Sequence, residues 1–240
     1  MKIKPYVLEE TSDFAVVFKP SGMHSVPLKP KSGSTLLEWY ALAYPEAEIM
    51  HRLDCETHGL VLFSKNADSF DFFKEMQDNG KFIKEYSAVC KNSVFASLDD
   101  CITAAGFPPS PVFSGLSPSS DNPFVVESFF RPFGPGRKQV RPVIDDGKKH
   151  HETAKDKGGT YKTEIIMIND NVFFARLRRG FRHQIRCHLC WIGCPILGDS
   201  LYARQDSCES GQTLALRAHA LFFPDPSTGE QREYRIEPLH

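Results

Sequence analysis

The chain has 240 residues, 41% of them hydrophobic and 19 of them Phe, with a formal net charge of −1. This is enough apolar material for one large core or two small ones, and it excludes a globally basic nucleic-acid binder while leaving local basic patches open. No run approaches the roughly 18 apolar residues of a membrane span, and Met1-Lys2-Ile3-Lys4-Pro5 lacks the apolar stretch of an export signal; with seven irregularly spaced Cys, the expectation is a cytoplasmic protein with free thiols and no membrane partner.

Residues 14–18 are a short apolar run, read as a strand that leads into the turn Lys19-Pro20-Ser21-Gly22. The spacing over residues 35–43 predicts a helix with Ser34 as its cap. Then comes His51-Arg52-Leu53-Asp54-Cys55-Glu56-Thr57-His58-Gly59-Leu60. Asp54 stands between a basic-apolar lead-in and a Thr-x-Gly turn, at the mouth of an apolar run over residues 60–63 that reads as a buried strand. A carboxylate so placed has the chemistry to attack an electrophilic carbon; the same Asp serves equally as a turn cap or as a surface ion pair with Arg52. Residues 68–79 place Phe72, Phe73 and Met76 at helical intervals and stop before Gly80. Residues 84–90 alternate as a strand does.

Residues 104–150 differ. Pro108, Pro109, Pro111, Pro118, Pro123, Pro132, Pro135 and Pro142 break any long element, so extended loops with short strands are expected, one of them over residues 125–129. Such a stretch is either a passive surface insertion or a functional loop. Residues 163–168 and 172–177 read as neighbouring strands about Asn169-Asp170-Asn171, residues 183–192 as a helix ending at Gly193, and residues 217–223 and 232–236 as a pair around a turn at 224–229. The pattern is α+β with an antiparallel or mixed sheet.

Basic residues cluster locally. Arg137, Lys138 and Arg141 lie in the Pro/Gly-rich stretch, and Lys148, Lys149, His150 and His151 read as a solvated run. Arg176, Arg178, Arg179, Arg182 and Arg186 crowd the last predicted helix, and guanidinium forks suit phosphate. Cys187, Cys190 and Cys194, with His188 nearby, are metal-ligand types, but Cys187 and Cys190 stand one helical turn apart and the spacing supplies no fourth ligand. They read as core packing, with no metal. His24, His51 and His58 are each candidate bases; His51 reads as structural support.

Three blocks in this chain carry a resemblance. His51-Arg52-Leu53-Asp54 with Thr57, Gly59 and Leu60 is the first. His183-Gln184-Ile185-Arg186-Cys187-His188 is the second, and Gly193-Cys194-Pro195-Ile196-Leu197-Gly198-Asp199 the third. With the softer matches at residues 16–23 and at Lys84-Glu85-Tyr86-Ser87-Ala88, they follow in order the motifs of the RluA-type pseudouridine synthases, which the chain resembles over roughly residues 14–225. The resemblance implies one catalytic domain over residues 1–240, with a long bent mixed or antiparallel sheet, flanking helices and loops around a central cleft. It also implies no room for the extra N-terminal RNA-binding module that some relatives carry.

The resemblance implies a site as well. Asp54 is the nucleophile at C1′ of a flipped-out uridine, Arg186 the cation that keeps it ionised, and Tyr86 the ring that stacks on the base and assists removal of the C5 proton. Arg52, Arg179, Arg182, His183 and Gln184 are the expected RNA contacts. The partner is ribosomal or transfer RNA, the protein is expected to be a monomer, and the reaction needs no cofactor. Which uridine is modified, and whether the route is a covalent ester or a glycal, stays open. The chain departs from many relatives at Phe181, where they have Arg after the Gly, and at Ile165, where they have Tyr. Two competing readings remain: an inactive RNA-binding protein on the same fold, and a carboxylate glycosidase, which needs a second carboxylic acid that no residue here marks.

Overall fold

A computed structural model describes residues 3–28, 34–90, 107–111, 123–144, 159–203 and 212–240. The basic run at Lys148, Lys149, His150 and His151 lies outside these, as do parts of the Pro/Gly-rich stretch. The described strands, in chain order, are β1 (Tyr6–Glu10), β2 (Phe14–Lys19), β3 (Glu48–Ile49), β4 (His58–Ser64), β5 (Ile83–Val89), β6 (Phe124–Phe133), β7 (Gln139–Val143), β8 (Tyr161–Met167), β9 (Val172–Leu177), β10 (Leu216–Pro224) and β11 (Gln231–Arg235). The helices are α1 (Leu36–Ala41), α2 (Ala67–Asp78) and α3 (Gln184–Trp191). The fold is therefore α+β with mixed sheet. The chain divides into two compact units, residues 1–86 with 216–238 and residues 87–215 with 239–240, and β5 carries it from the first to the second.

In the first unit the strand order is β1-β2-β4-β10-β5, with β11 on β10 and β3 on β4. The β1–β2, β2–β4 and β10–β11 pairs are antiparallel and β4–β10 is parallel. All six residues of β2 are buried, as are six of the seven in β4, so both strands read as continuous apolar runs rather than alternating ones. Helix α2 starts at Asn66, whose Oδ1 accepts from the Ser69 amide at 2.8 Å and so satisfies one orphan donor of the first turn. It lays Phe73 and Met76 onto Phe14, Leu60, Leu62, Phe82, Leu221 and Phe223. Phe14 meets Phe73 and Phe223 edge-on, the arrangement that ring quadrupoles favour.

The second unit is an antiparallel sheet of order β9-β8-β6-β7. The Asn169 side chain closes the β8–β9 hairpin, accepting from the Asn171 and Val172 amides. All eight residues of α3 are buried, so its polar side chains must find partners inside the protein. His188 does so with both ring nitrogens, 3.0 Å from Ser128 Oγ and 2.8 Å from Thr163 Oγ1. Burial brings its pKa down to about 3. Cys187 and Cys190 donate to the carbonyls of Val140 and Tyr202, and Cys194 is fully buried, which fits core packing.

Several elements differ from the sequence reading. The cap of α1 is Thr35, not Ser34: Thr35 Oγ1 accepts from the Glu38 amide while Glu38 Oε2 accepts from the Thr35 amide at 2.9 Å. The Thr-x-x-Glu spacing closes a reciprocal box only from Thr35. The first strand is β1, not the run at Phe14; its five residues are all exposed, so it carries no burial pattern. β6 runs to Phe133, and β7 exists despite Pro142, which an edge strand tolerates.

Gly59 has φ +130°, and a Cβ there would stand 2.2 Å from the Ala218 carbonyl oxygen on β10. Gly59→Ala is expected to destabilise the protein by about 2–4 kcal/mol, read as a lower urea midpoint at unchanged m. The buried imidazoles of His188 and His51 also predict acid lability. Burial holds both below their ordinary pKa, so the unfolded chain binds their protons more tightly. Their contribution is fully present above about pH 6.5 and declines as pH falls toward the folded values, by roughly 1.4 kcal/mol per pH unit for each. Urea melts from pH 7 to 4 check this, and His188→Gln should flatten the slope.

Candidate active site

Asp54 lies in the segment between β3 and β4, and its neighbours on both sides are tied to the loop that follows β2. Ser25 Oγ donates to the Leu53 carbonyl at 2.8 Å and accepts from the Leu53 amide at 2.9 Å. Ser21 Oγ donates to the Glu56 carbonyl, and the Gly22 amide donates to the Cys55 carbonyl, both at 2.8 Å. Lys19, fully buried at the end of β2, donates to the carbonyls of Pro20, Met23 and Cys55 at 3.1, 2.7 and 3.2 Å. An ammonium has three donors, and here each has a carbonyl. Burial lowers the Lys19 pKa to about 8, opposed by the charges of Cys55 and Asp54. A cation thus sits beneath the Asp54 segment, close enough to feel its charge.

Tyr86 stands on β5 and is buried. Burial, and then the negative charge of Asp54, hold its phenol above the ordinary range, which places Tyr86 and Asp54 within electrostatic reach. Two residues before it, Lys84 is also buried, which brings its pKa to about 8, and its ammonium sits 4.9 Å from the centre of the Phe82 ring. The other edge of that ring meets His51. His51 Nε2 accepts from the Leu62 amide at 3.2 Å, continuing the rung that the Met50 amide begins on the Leu62 carbonyl. His51 is held neutral by burial and by Lys84. It therefore supports β4, as the sequence reading had it. Arg52 is exposed.

In the second unit Arg186 is buried on α3 and grips Asp199 with two parallel bonds, Nε to Oδ2 at 2.8 Å and Nη2 to Oδ1 at 2.7 Å. Asp199 Oδ1 also accepts from the Leu201 and Tyr202 amides. Asp199 was not singled out in the sequence, although the third motif block ends on it. Its signal was a lone acid following a Gly with φ +72° whose absent Cβ lets the Thr213 carbonyl approach. The bidentate pair fixes the plane of the guanidinium as well as its charge.

The expected RNA contacts separate. Arg179 is exposed, with its guanidinium 4.4 Å over the Tyr161 ring and Nη2 donating to the Tyr161 hydroxyl. Arg182 is exposed, and its Nη2 donates to the carbonyls of Arg137 and Gln139 at 2.8 and 3.0 Å. His183 is half-buried at the start of α3 in the left-handed region, φ 56°, with Nδ1 3.2 Å from the Tyr202 hydroxyl. Gln184 corrects the expectation. It is buried, donates to the Lys162 carbonyl and Thr163 Oγ1, and accepts from the Phe181 amide. Its amide is committed inside the protein, so it shapes the turn rather than touching RNA. Phe181 stacks on Phe130 at 5.1 Å. Among the described residues no group of three His, Cys, Asp or Glu is arranged to hold a metal ion.

Lys19→Met would leave three buried carbonyls without their donor. We expect a stability loss of about 2–4 kcal/mol, since each buried orphan costs about 1–3 kcal/mol and removal of a buried charge offsets part of it. Hydrogen exchange should quicken in peptides covering residues 20–25 and 51–57 more than elsewhere. Uniform exchange across the chain would refute a local clamp.

The family described as RNA pseudouridylate synthase matches residues 13–191. The dual-specificity RNA pseudouridine synthase RluA of Vibrio vulnificus is 28% identical over 225 residues, covering 92% of this chain and 78% of that protein. The protein of the same name from Yersinia pestis is 25% identical over 236 residues, covering 96% and 98%. Among solved structures, human RNA Pseudouridylate Synthase Domain Containing 1 aligns with a TM-score of 0.67 at 17% identity, over 98% of this chain and 83% of that one. Human RNA Pseudouridylate Synthase Domain Containing 4 aligns at 0.63 and 17%, over 97% and 88%. At these identities the structural likeness speaks to fold alone.

Proposed function

Since the chain belongs to the RNA pseudouridylate synthase family, we propose that it isomerises specific uridines of ribosomal or transfer RNA to pseudouridine, with Asp54 as the nucleophile. The observation that carries this reading is the Asp54 segment itself. Both neighbours of a half-buried carboxylate are pinned, a buried cation lies beneath, and a buried aromatic ring feels its charge. A surface ion pair needs none of these.

The carboxylate attacks C1′ of the uridine. The N1–C1′ bond breaks and its electron pair leaves on N1 of the uracil, which stays bound and turns. C5 then bonds to C1′, the carboxylate departs, the C5 proton is lost and N1 gains one. Nothing is oxidised or hydrolysed, so the reaction calls for neither cofactor nor metal. Arg186 is the cation that keeps Asp54 ionised in a water-poor site, and Asp199 is the positioning residue that orients it.

Tyr86 offers the base a stacking face, typically worth ~1–3 kcal/mol. Its raised pKa makes it a poor proton acceptor while Asp54 is charged. Esterification of Asp54 removes that charge and so the second cause of the shift. The phenol thus becomes a better acceptor at the stage when the C5 proton must leave. Arg52, Arg179, Arg182 and His183 are RNA contacts. Extraction of a stacked uridine costs a few kcal/mol and favours loops and irregular stems. The two compact units serve as one catalytic domain, in a cytoplasmic monomer; no described helix is long and apolar enough to cross a membrane.

Asp54→Asn keeps the shape and removes the charge. With RNA carrying uridine tritiated at C5, the parent should release tritium to water. The variant should release it more than about a thousandfold more slowly, while its RNA dissociation constant stays within about threefold. Turnover within about tenfold of the parent would overturn the role of Asp54. A parent that binds RNA and retains all tritium would be an inactive binder, and free uracil with an abasic site would mark a glycosidase.

A further inference from the structure

The β6–β7 hairpin has two unlike faces. One buries Val126, Phe130 and Val140. The other is half-exposed along its length and carries Phe129, Arg131 and Phe133 on β6 and Gln139, Arg141 and Val143 on β7. The register pairs Phe129 with Val143, Arg131 with Arg141, and Phe133 with Gln139. Two guanidinium groups therefore stand directly across from each other, flanked along the strand by two aromatic rings. The turn that closes the hairpin, Gly134 to Lys138, adds exposed Arg137 and Lys138. Like charges directly opposite destabilise a strand pair by themselves, and a phosphate accepting from both guanidinium groups offsets that repulsion. Rings interleaved with cations, in turn, are what a single-stranded or looped RNA requires for its bases and its backbone.

The hairpin is also held in fixed register with the helix that carries Arg186. Arg182 donates to the carbonyls of Arg137 and Gln139. The Tyr202 hydroxyl accepts from the Val140 amide at 2.8 Å and lies 3.2 Å from the Val140 carbonyl oxygen. Cys187 Sγ donates to that same carbonyl. An RNA strand seated on this face is thereby located with respect to α3 by backbone contacts rather than by mobile side chains.

We infer that the Phe129/Arg131/Phe133–Arg141 face of the β6–β7 hairpin is an RNA-backbone docking surface, with Arg131 and Arg141 sharing a phosphate and the two Phe rings taking adjacent bases. This rests on the proposed function in naming RNA as the partner, and it adds where the strand outside the reacting nucleotide is held. An acidic protein segment would use the arginines but not the alternation with aromatic rings.

The test is a salt series. A stem-loop RNA with uridines in its loop is bound by the parent and by Arg131→Gln/Arg141→Gln, with fluorescence anisotropy as the readout from 50 to 300 mM KCl, concentrations chosen to span roughly one to two Debye regimes. Loss of one shared phosphate contact should flatten the slope of log K against log salt by about 0.7–0.9 and weaken binding about tenfold near physiological salt, while kcat at saturating RNA stays within about twofold. Arg131→Lys/Arg141→Lys should retain most of the slope. Thermal melts verify folding. If the double variant fails to fold, photocrosslinking of the unaltered protein to 4-thiouridine RNA decides: adducts within the peptide 129–143 support the surface, and their absence there overturns it. An unchanged slope in a folded double variant also overturns it. The two readings fail separately. A flattened slope with no isomerisation by the parent leaves the surface standing and sinks the activity; full isomerisation with an unchanged slope does the reverse.

Discussion

The buried ammonium of Lys19 is the constraint on which the Asp54 segment depends. Taking a lysine out of water is costly, and here the cost is offset by three carbonyl partners on two separate loops and by the nearby charge of Asp54. A compact ammonium can serve three acceptors around one point; a planar guanidinium cannot take that geometry. The result is that the turn after β2 and the approach to β4 behave as one piece. Ser21, Gly22 and Ser25 add bonds at successive positions, so the residues flanking Asp54 have little freedom to move it. A nucleophile held this way meets its carbon with less entropy still to lose.

The second unit uses the same logic with different chemistry. α3 is buried on every side, and each polar group on it is matched: Gln184 with β8, His188 with Ser128 and Thr163, and Arg186 with Asp199. A buried ion pair is weak evidence for net stability, because desolvation opposes attraction. What it supplies is orientation. Asp199 is itself fixed by two amides, so the plane of the Arg186 guanidinium is set before any substrate arrives. In the first unit Glu85 has a comparable place, with Arg235 Nη1 at 3.0 Å and His219 Nε2 at 3.0 Å. It ties β5, the strand of Tyr86, to β10 and β11.

Phe181 shows how a departure from a family pattern is absorbed. A ring takes the position where many relatives place an arginine, and it stacks on Phe130 and packs near Tyr161. The next residue, Arg182, carries a cation in the same turn and spends it on backbone carbonyls of the hairpin tip. The exchange trades a free-standing charge for a rigid joint between α3 and β6–β7. It also moves the cations offered to a partner toward the hairpin, consistent with a subgroup that grips its RNA in its own way.

Much was legible in one dimension. Apolar runs at β2 and β4, the helical spacing of Phe73 and Met76, and the Asn169 turn are local signals, because period and turn chemistry depend on neighbours a few residues away. The motif order identified the family, and with it Asp54, Tyr86 and Arg186 as the residues to watch. Other features depended on partners far along the chain. β1 is wholly exposed and is defined by its pairing with β2. β7 contains a proline that only an edge position allows. Gln184 looks like a polar contact in sequence, but burial against β8 commits its amide. Lys19 reads as the end of a strand until three carbonyls from two loops close on it, and Asp199 as a loop acid until Arg186 is seen to need it. Sequence by itself determined which chemical groups the protein has and the local elements that carry them. The tertiary structure alone decided which polar groups are desolvated together, because hydrogen bonds and charge shifts follow distance in space and loss of water, and neither is encoded at any single position.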